Sequence, residues 1–330
     1  VGSEMCIRDR YKMSIFKLDP AFKDYIWGGT RLRDEYGKKC DYDKVAESWE
    51  LSCHKDGPSV VADGEYKGLT LNEYIEKAGK GVLGKNCERF ENFPILIKLI
   101  DAKDNLSVQV HPDNDYAMRV EGEYGKTEMW YVVDCDEGAT LLYGFKHEIT
   151  KEEFARRIAD NTLLEVTNAV PVKKGDVFFI KSGTLHAIGK GILIAEIQQN
   201  SNTTYRIYDY GRVGKDGKPR ELHVDKALDV TKLAPAEQYP ETPVEKKDGY
   251  DIKLLSKCEY FTTYRVNVET KAELDADENS FNSILVLEGE PVISGGETVS
   301  AKKGESVFIS AGTGKYTVEG KCTFVLTKID

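Results

Sequence analysis

The run Lys173-Lys174-Gly175-Asp176-Val177-Phe178-Phe179-Ile180 comes back much later in this 330-residue chain as Lys302-Lys303-Gly304-Glu305-Ser306-Val307-Phe308-Ile309. Upstream, Trp130-Tyr131-Val132-Val133 is matched in the same way by Ile284-Leu285-Val286-Leu287. A glycine turn that leads into β-branched and aromatic residues is a turn-to-strand signal. Its recurrence implies one supersecondary unit used twice. Both copies therefore read as the same small antiparallel β-barrel. Aligned on these blocks, Ser182-Gly183-Thr184 meets Ala311-Gly312-Thr313, His186 meets Lys315 and Glu128 meets Asn282. Only the first copy keeps residues able to bind a ligand or metal.

The rest of the chain agrees with a mainly β protein that has a few helices. Short runs bounded by Gly, Asn and Asp predict strands over residues 94–100, 106–110, 129–133, 140–143, 176–180, 192–198 and 205–208. Several are apolar throughout, as expected where both faces are covered. Thr150-Lys151-Glu152-Glu153 is a capping-box start for a helix over 151–160. Asp113 can cap a short helix through Met118, and residues 224–230 and 71–77 are further helix candidates. Between Leu233 and Gly249, three prolines among Glu and Lys residues read as an exposed connector. The expected organisation is a first unit over residues 13–234, a linker over 235–249, and a smaller β-rich unit over 250–330 without metal ligands. Residues 1–12 resemble a translated adapter leader rather than a signal peptide, so Met13 is the expected start and the leader is expected to carry no function.

Composition excludes several classes. A net charge of −10 disfavours nucleic acid, whose phosphates want a basic face. A small anionic substrate remains open, because a few cations can make a local positive pocket. The seven cysteines are scattered, with no Cys-x-x-Cys pair, which fits free thiols in a reducing cytoplasm. No apolar run approaches the ~20 residues of a membrane helix.

The chemistry gathers around two of the five histidines. Gln109 and His111 are two apart, which on a strand puts both side chains on one face. Glu128 opens the next strand and His186 stands at the mouth of a third. Gln109, His111, Glu128 and His186 together form a nitrogen and oxygen donor set suited to zinc with a position left open. Lys98, Lys126, Arg206 and Arg212 lie on or beside the same strands. Lys98, inside an apolar run, faces either solvent or a polar cavity. His54, His147 and His223 have no ligand-like company and read as surface or structural residues.

At this point the chain resembles the type I phosphomannose isomerase family in its short bacterial form. The resemblance rests on residues 18–29, on Ala46-Glu47-Ser48-Trp49-Glu50-Leu51-Ser52, on Ser107-Val108-Gln109-Val110-His111-Pro112-Asp113, on Gly125-Lys126-Thr127-Glu128 and on Gly183-Thr184-Leu185-His186-Ala187-Ile188. It implies a cupin-type antiparallel barrel, or jelly roll, with a second, degenerate cupin-like copy. It also implies a cytoplasmic enzyme, a monomer or weak homo-oligomer, without nucleic-acid or membrane partners. The implied reaction interconverts D-mannose 6-phosphate and D-fructose 6-phosphate through a metal-stabilised enediolate, with one Zn2+ per chain. Zinc-ligand roles carry over to Gln109, His111, Glu128 and His186. Catalytic roles carry over to Arg206, Glu196 and Lys126, and substrate or phosphate contacts to Ser107, Lys98 and Arg212. One departure stands out: where many relatives carry an acid four residues before the arginine, this chain has Asn202. Two other readings compete. An Fe(II) cupin oxygenase would need only His111, Glu128 and His186, and a non-catalytic sugar sensor would bind the phosphosugar without turnover.

Overall fold

The computed structural model describes residues 14–330, so the expectations for the leader and for Met13 lie outside the described residues. The chain is mainly β, with strands in four open sheets of eight, six, five and four members. Their hydrogen-bond ladders do not close into cylinders. All seven expected strands form, within a few residues of their predicted ends.

The six-stranded sheet runs Val177–Ile180, Glu128–Cys135, Ile192–Gln199, Ile95–Ala102, Glu47–Leu51, Ala21–Lys23. The five-stranded sheet runs Tyr205–Tyr208, Val108–Val110, His186–Ala187, Thr140–Phe145, Thr167–Pro171. Between them lies a buried layer that includes Trp27, Ile100, Leu141, Tyr143 and Ile194. Ile95–Ala102 and Ile192–Gln199 are buried along their whole length. Alternation sends Ile95, Ile97 and Leu99 to the far face, against Phe281, Phe308 and Val325 of the C-terminal half. It leaves Lys98 on the inner face with Ile100. Thus the apolar face joins the two halves and the inner face is free to be polar.

The repeated sequence has a repeated ladder. Ile180 pairs with Glu128 and Phe178 with Trp130, while Ile309 pairs with Asn282 and Val307 with Ile284. A β-bulge between Ile194 and Leu193, opposite Val132 and Asp134, recurs opposite Val286 and Glu288. A second bulge, between Trp49 and Leu51, recurs between Leu254 and Ser256. Gly175 and Gly304 hold the two matching turns at φ of 90° and 86°, a backbone region that residues with a Cβ avoid. The intervening segment is longer in the first half because helix Lys151–Ala159 stands between Thr140–Phe145 and Thr167–Pro171.

Three sequence expectations need correction. The residues read as a connector contain the strand Val244–Lys247, which pairs along Tyr250–Lys257 at the edge of the eight-stranded sheet. A short, charged and fully exposed edge strand looks like a linker in sequence, because neither face is covered. The strand Ile15–Asp19 precedes the expected boundary at residue 234 yet belongs to the C-terminal sheet, pairing Ile15 with Ile309 and Leu18 with Ser306. Finally, Thr150 accepts from the Glu153 N–H, but the structure gives this helix only that half of a capping box. The reciprocal box forms at Thr70 and Glu73, ahead of helix Leu71–Ala78. Helices Asn114–Val120, capped by Asp113, and Val224–Val230 form as expected.

Candidate active site

Register brings the polar residues together. Within the six-stranded sheet Glu196 lies opposite both Lys98 and Trp130, and Gln198 opposite Glu128. Across the gap, Gln109 lies opposite His186 on one side and Arg206 on the other. The site is therefore built between two sheets, with Glu128 from one and Gln109 and His186 from the other. His111 follows just past the strand end.

His111, Glu128 and His186 place one donor atom each within 4.8 Å of one another, all three fully buried. His111 Nδ1 lies 3.0 Å from the Thr203 carbonyl and His186 Nδ1 lies 2.8 Å from the Thr184 carbonyl. A carbonyl only accepts, so each Nδ1 carries the proton and each Nε2 presents a lone pair. Those two Nε2 atoms face each other at 3.1 Å. Glu128 Oε1 is 3.4 Å from one and Oε2 is 3.5 Å from the other. Oε2 is buried without a hydrogen-bond partner. Lone pairs from two imidazoles and an unpartnered carboxylate oxygen converging on one point repel each other unless a cation sits among them. The donors thus fit a divalent metal. Burial first, then the charge of Lys126, holds His111 well below the usual histidine range. Burial likewise lowers His186. Both rings are neutral, as metal ligation requires. The Gln109 amide nitrogen is 3.4 Å from His186 Nε2, and half a turn about that amide would present its oxygen instead.

Above this cluster opens a cleft of about 230 Å³ lined by Lys98, Ser107, Gln109, Lys126, Glu196 and Arg206, among others. Lys98 Nζ stands 3.4 Å from Glu196 Oε1 and 3.4 Å from Glu47 Oε2, with the Trp49 ring centroid 5.0 Å away. Burial alone would strip its proton, but the Glu47 and Glu196 carboxylates outweigh that and keep it charged. The Trp130 indole N–H is shared between Glu196 Oε2 at 2.9 Å and Glu128 Oε1 at 3.1 Å. One ring therefore ties a carboxylate in the cleft to a carboxylate in the metal cluster. Lys126 Nζ approaches Glu128 Oε2 at 3.6 Å. The Ser107 hydroxyl donates to Gln109 Oε1 at 3.3 Å.

The sequence matches the family described as "Phosphomannose isomerase type I, catalytic domain" over residues 15–138 and "Mannose-6-phosphate isomerase, cupin domain" over residues 251–329. It is 39% identical over 312 residues to a mannose-6-phosphate isomerase of Bacillus subtilis, covering 94% of this chain and 97% of the relative. The chain belongs to the type I phosphomannose isomerase family. A mannose-6-phosphate isomerase of Streptococcus mutans is 40% identical over 291 residues, covering 86% of this chain and 88% of that one. A crystal structure of the mannose 6-phosphate isomerase from Bacillus subtilis superposes with a TM-score of 0.90 at 38% identity, covering 95% of this chain and 99% of that chain.

Within this phosphomannose isomerase fold, nine of the ten residues singled out from sequence meet at the metal cluster and its cleft. Arg212 does not line the cleft. Its guanidinium is turned to Asp209 Oδ1 at 2.6 Å and to the Asn105 carbonyl at 2.5 Å. The cleft instead holds Arg220, which grips Asp209 through Nε at 2.8 Å and Nη2 at 2.6 Å. Burial alone would push the Asp209 carboxyl up, and the two guanidiniums overturn that and hold it below its ordinary range. Arg206 donates to the Glu221 carbonyl at 2.8 Å, while its Nε is buried without a partner. Burial and the adjacent Arg220 charge both depress it. Tyr25, Trp27, Glu47, Asn202 and Thr204 also line it. Glu47 had a readable signal: an acid in a strand otherwise bound for the interior. Arg220 had none, because its loop carries ordinary surface composition.

The remaining histidines also resolve. His54 is buried, with Nε2 at 2.5 Å from Glu123 Oε1, so it is a structural residue and not a surface one. His147 is exposed. His223 Nδ1 accepts the Arg206 backbone N–H at 3.1 Å and so steadies a cleft residue.

Proposed function

We propose that this cleft interconverts D-mannose 6-phosphate and D-fructose 6-phosphate, with the metal cluster on its floor and the phosphate at its cationic rim. The observation that carries the reading is the convergence of His111 Nε2, His186 Nε2 and the unpartnered Glu128 Oε2 beneath a cleft rich in lysine and arginine. These three residues, with Gln109 as a fourth, would hold one Zn2+. Bound there, a divalent ion would supply Lewis acidity toward the sugar oxygens as negative charge develops on them.

The chain's own groups then divide the remaining work. Glu196 lines the cleft, and its Oε1 makes no hydrogen bond, with only the Lys98 ammonium beside it at 3.4 Å, which suits a carboxylate that takes a proton from the sugar carbon. Lys98 supplies fixed positive charge beside it, and Lys126 supplies more beside Glu128. Trp130 orients Glu196 from behind. Arg206 and Arg220 carry two guanidiniums at one rim, a pair suited to a phosphate dianion. Remote binding of that phosphate would position the reacting carbons.

This arrangement distinguishes the three arginines. Arg206→Ala and Arg220→Ala are each expected to lower kcat/KM by about 10–100-fold, the worth of a charge-assisted hydrogen bond of roughly 1.5–3 kcal/mol. Arg212→Ala should cost less, since its guanidinium faces Asp209 and a carbonyl. Equal losses in Arg212→Ala and Arg220→Ala would return the phosphate contact to Arg212. The direct test of the function is a coupled assay of mannose 6-phosphate turnover with metal content measured on the same sample. Sugar binding without turnover would overturn it.

The finer architecture belongs to the same proposal. We read the catalytic unit as a cupin-type barrel built on the six- and five-stranded sheets, and the C-terminal half, whose sheet takes in Ile15–Asp19 and Val244–Lys247, as a degenerate copy that kept the ladder and lost the donors. No helix among the described residues is long and apolar enough to cross a membrane. A cytoplasmic enzyme that is monomeric or weakly oligomeric, with a phosphosugar as its partner, suits this reading.

A further inference from the structure

Residues 200–204 form a strap beside the metal cluster, and one carboxylate gathers three of its hydrogen bonds. Thr203 lends its carbonyl to His111 Nδ1, and Asn202 and Thr204 line the cleft. Glu123, on the loop before the strand Glu128–Cys135, receives the strap. Its Oε2 accepts from Thr203 Oγ1 at 2.8 Å, from the Asn202 N–H at 3.3 Å and from Ser201 Oγ at 3.3 Å. Its Oε1 takes His54 Nε2 at 2.5 Å. His54 is itself fixed: Nδ1 accepts the Asp56 N–H at 3.1 Å and the ring packs edge-on against Trp49. Because Nδ1 accepts, Nε2 carries the proton and donates to Glu123.

We propose that Glu123, backed by His54, is a positioning residue of the metal centre: it holds the strap so that the Thr203 carbonyl fixes the tautomer and angle of the His111 ring. Partners one step out from a metal orient the ligand, and their loss typically weakens metal binding ~10–100-fold. This inference rests on the metal-centre reading above. The other strap contacts fall short of tying Thr203 to the body of the protein: the Asn200 N–H donates to the Pro94 carbonyl, and the Thr203 N–H turns back to Ser201 Oγ within the strap. Asn202 Nδ2 reaches the exposed rim residue Asp56 at 3.0 Å, and Gln198 Nε2 donates to the Ser201 carbonyl. Neither touches Thr203. The carboxylate is also hard to replace. Burial would push its pKa up, but the His54 and Thr203 hydrogen bonds win and hold it at about 2. An isosteric amide at this position must point its NH2 either at the His54 Nε2–H or at the Asn202 N–H. In both orientations two donors meet and one is stranded.

The experiment measures zinc affinity by chelator competition, with no turnover required. Glu123→Gln and Thr203→Val are each expected to bind zinc about 10-fold or more weakly than the parent. Thr203→Ser keeps the hydroxyl and should bind as the parent does. Thermal melts of the metal-free proteins accompany the titrations. Folded Glu123→Gln and Thr203→Val that bind zinc as tightly as the parent would overturn the proposal. If Glu123→Gln does not fold, the contrast between Thr203→Val and Thr203→Ser decides it alone. A parent protein that takes up no zinc would instead overturn the metal-centre reading, and this one with it.

Discussion

Protein stripped of metal by a chelator is expected to isomerise mannose 6-phosphate at least ~10³-fold more slowly than the same sample after zinc is restored. The size follows from the several kcal/mol of charge stabilisation that a Lewis-acid metal contributes, at 1.36 kcal/mol per decade. The geometry sharpens this into a mutational test. In Glu128→Gln an NH2 group replaces the unpartnered Oε2 that now faces the His111 lone pair. That amide can donate to the imidazole, which offsets the loss of the Lys126–Glu128 ion pair at 3.6 Å, so the metal-free variant should melt close to the metal-free parent. Its zinc affinity should fall beyond the ~10–100-fold typical of losing an outer partner. Folding held near the parent's while metal binding is lost is what a donor cluster built for a cation predicts. A structural salt bridge would show the reverse, with Glu128→Gln unfolding earlier. Turnover indifferent to chelator would dispose of the metal reading altogether.

The second large effect is expected at Glu196. Glu196→Gln should lower kcat by ~10² or more with KM little changed, as for loss of a general base that acts only in the transition state. Its counterpart across Lys98 supplies the control. Glu47 is as close to the lysine ammonium as Glu196 is, at 3.4 Å, and it too is held by an indole N–H, from Trp49 at 2.7 Å. The two carboxylates differ in what stands behind them, because only the ring behind Glu196 also touches a metal-cluster residue. Glu47→Gln is therefore expected to cost less. Exchange of the substrate C2 hydrogen with solvent gives an independent readout, and it should vanish in Glu196→Gln. Persistent exchange there, with loss in Glu47→Gln, would transfer the role to Glu47.

Much of this site could be read in the sequence because strand periodicity is a rigid ruler. Gln109 and His111 share a face by being two apart, and a charged Lys98 within an apolar run leaves few places for its ammonium. The repeated turn likewise foretold the repeated ladder, since both copies need a glycine at positive φ before the strand. What escaped is what loops and edges contribute. Arg220 reaches the cleft only because Asp209 folds its loop back, a contact of no fixed sequence spacing. The Glu123 network joins positions 54, 123 and 201–203, which no periodicity relates. The edge strand Val244–Lys247 was hidden because nothing covers it, so its composition carries no facial pattern.

The placement of Ile15–Asp19 in the C-terminal sheet bears on how the molecule is made. The backbone N–H of Ser14 bonds to Ser310, 296 residues further along. At ~5–20 residues added per second, that partner reaches the growing chain roughly 15–60 s after the first strand emerges. Val60–Val61 can pair with one side of that strand early, but throughout the interval its other side, from Ile15 to Leu18, is an open edge. The catalytic half can assemble its own two sheets while this happens. Ser306–Ile309 then close the molecule onto that strand, so truncations that remove them should aggregate through its open edge rather than yield a free catalytic half.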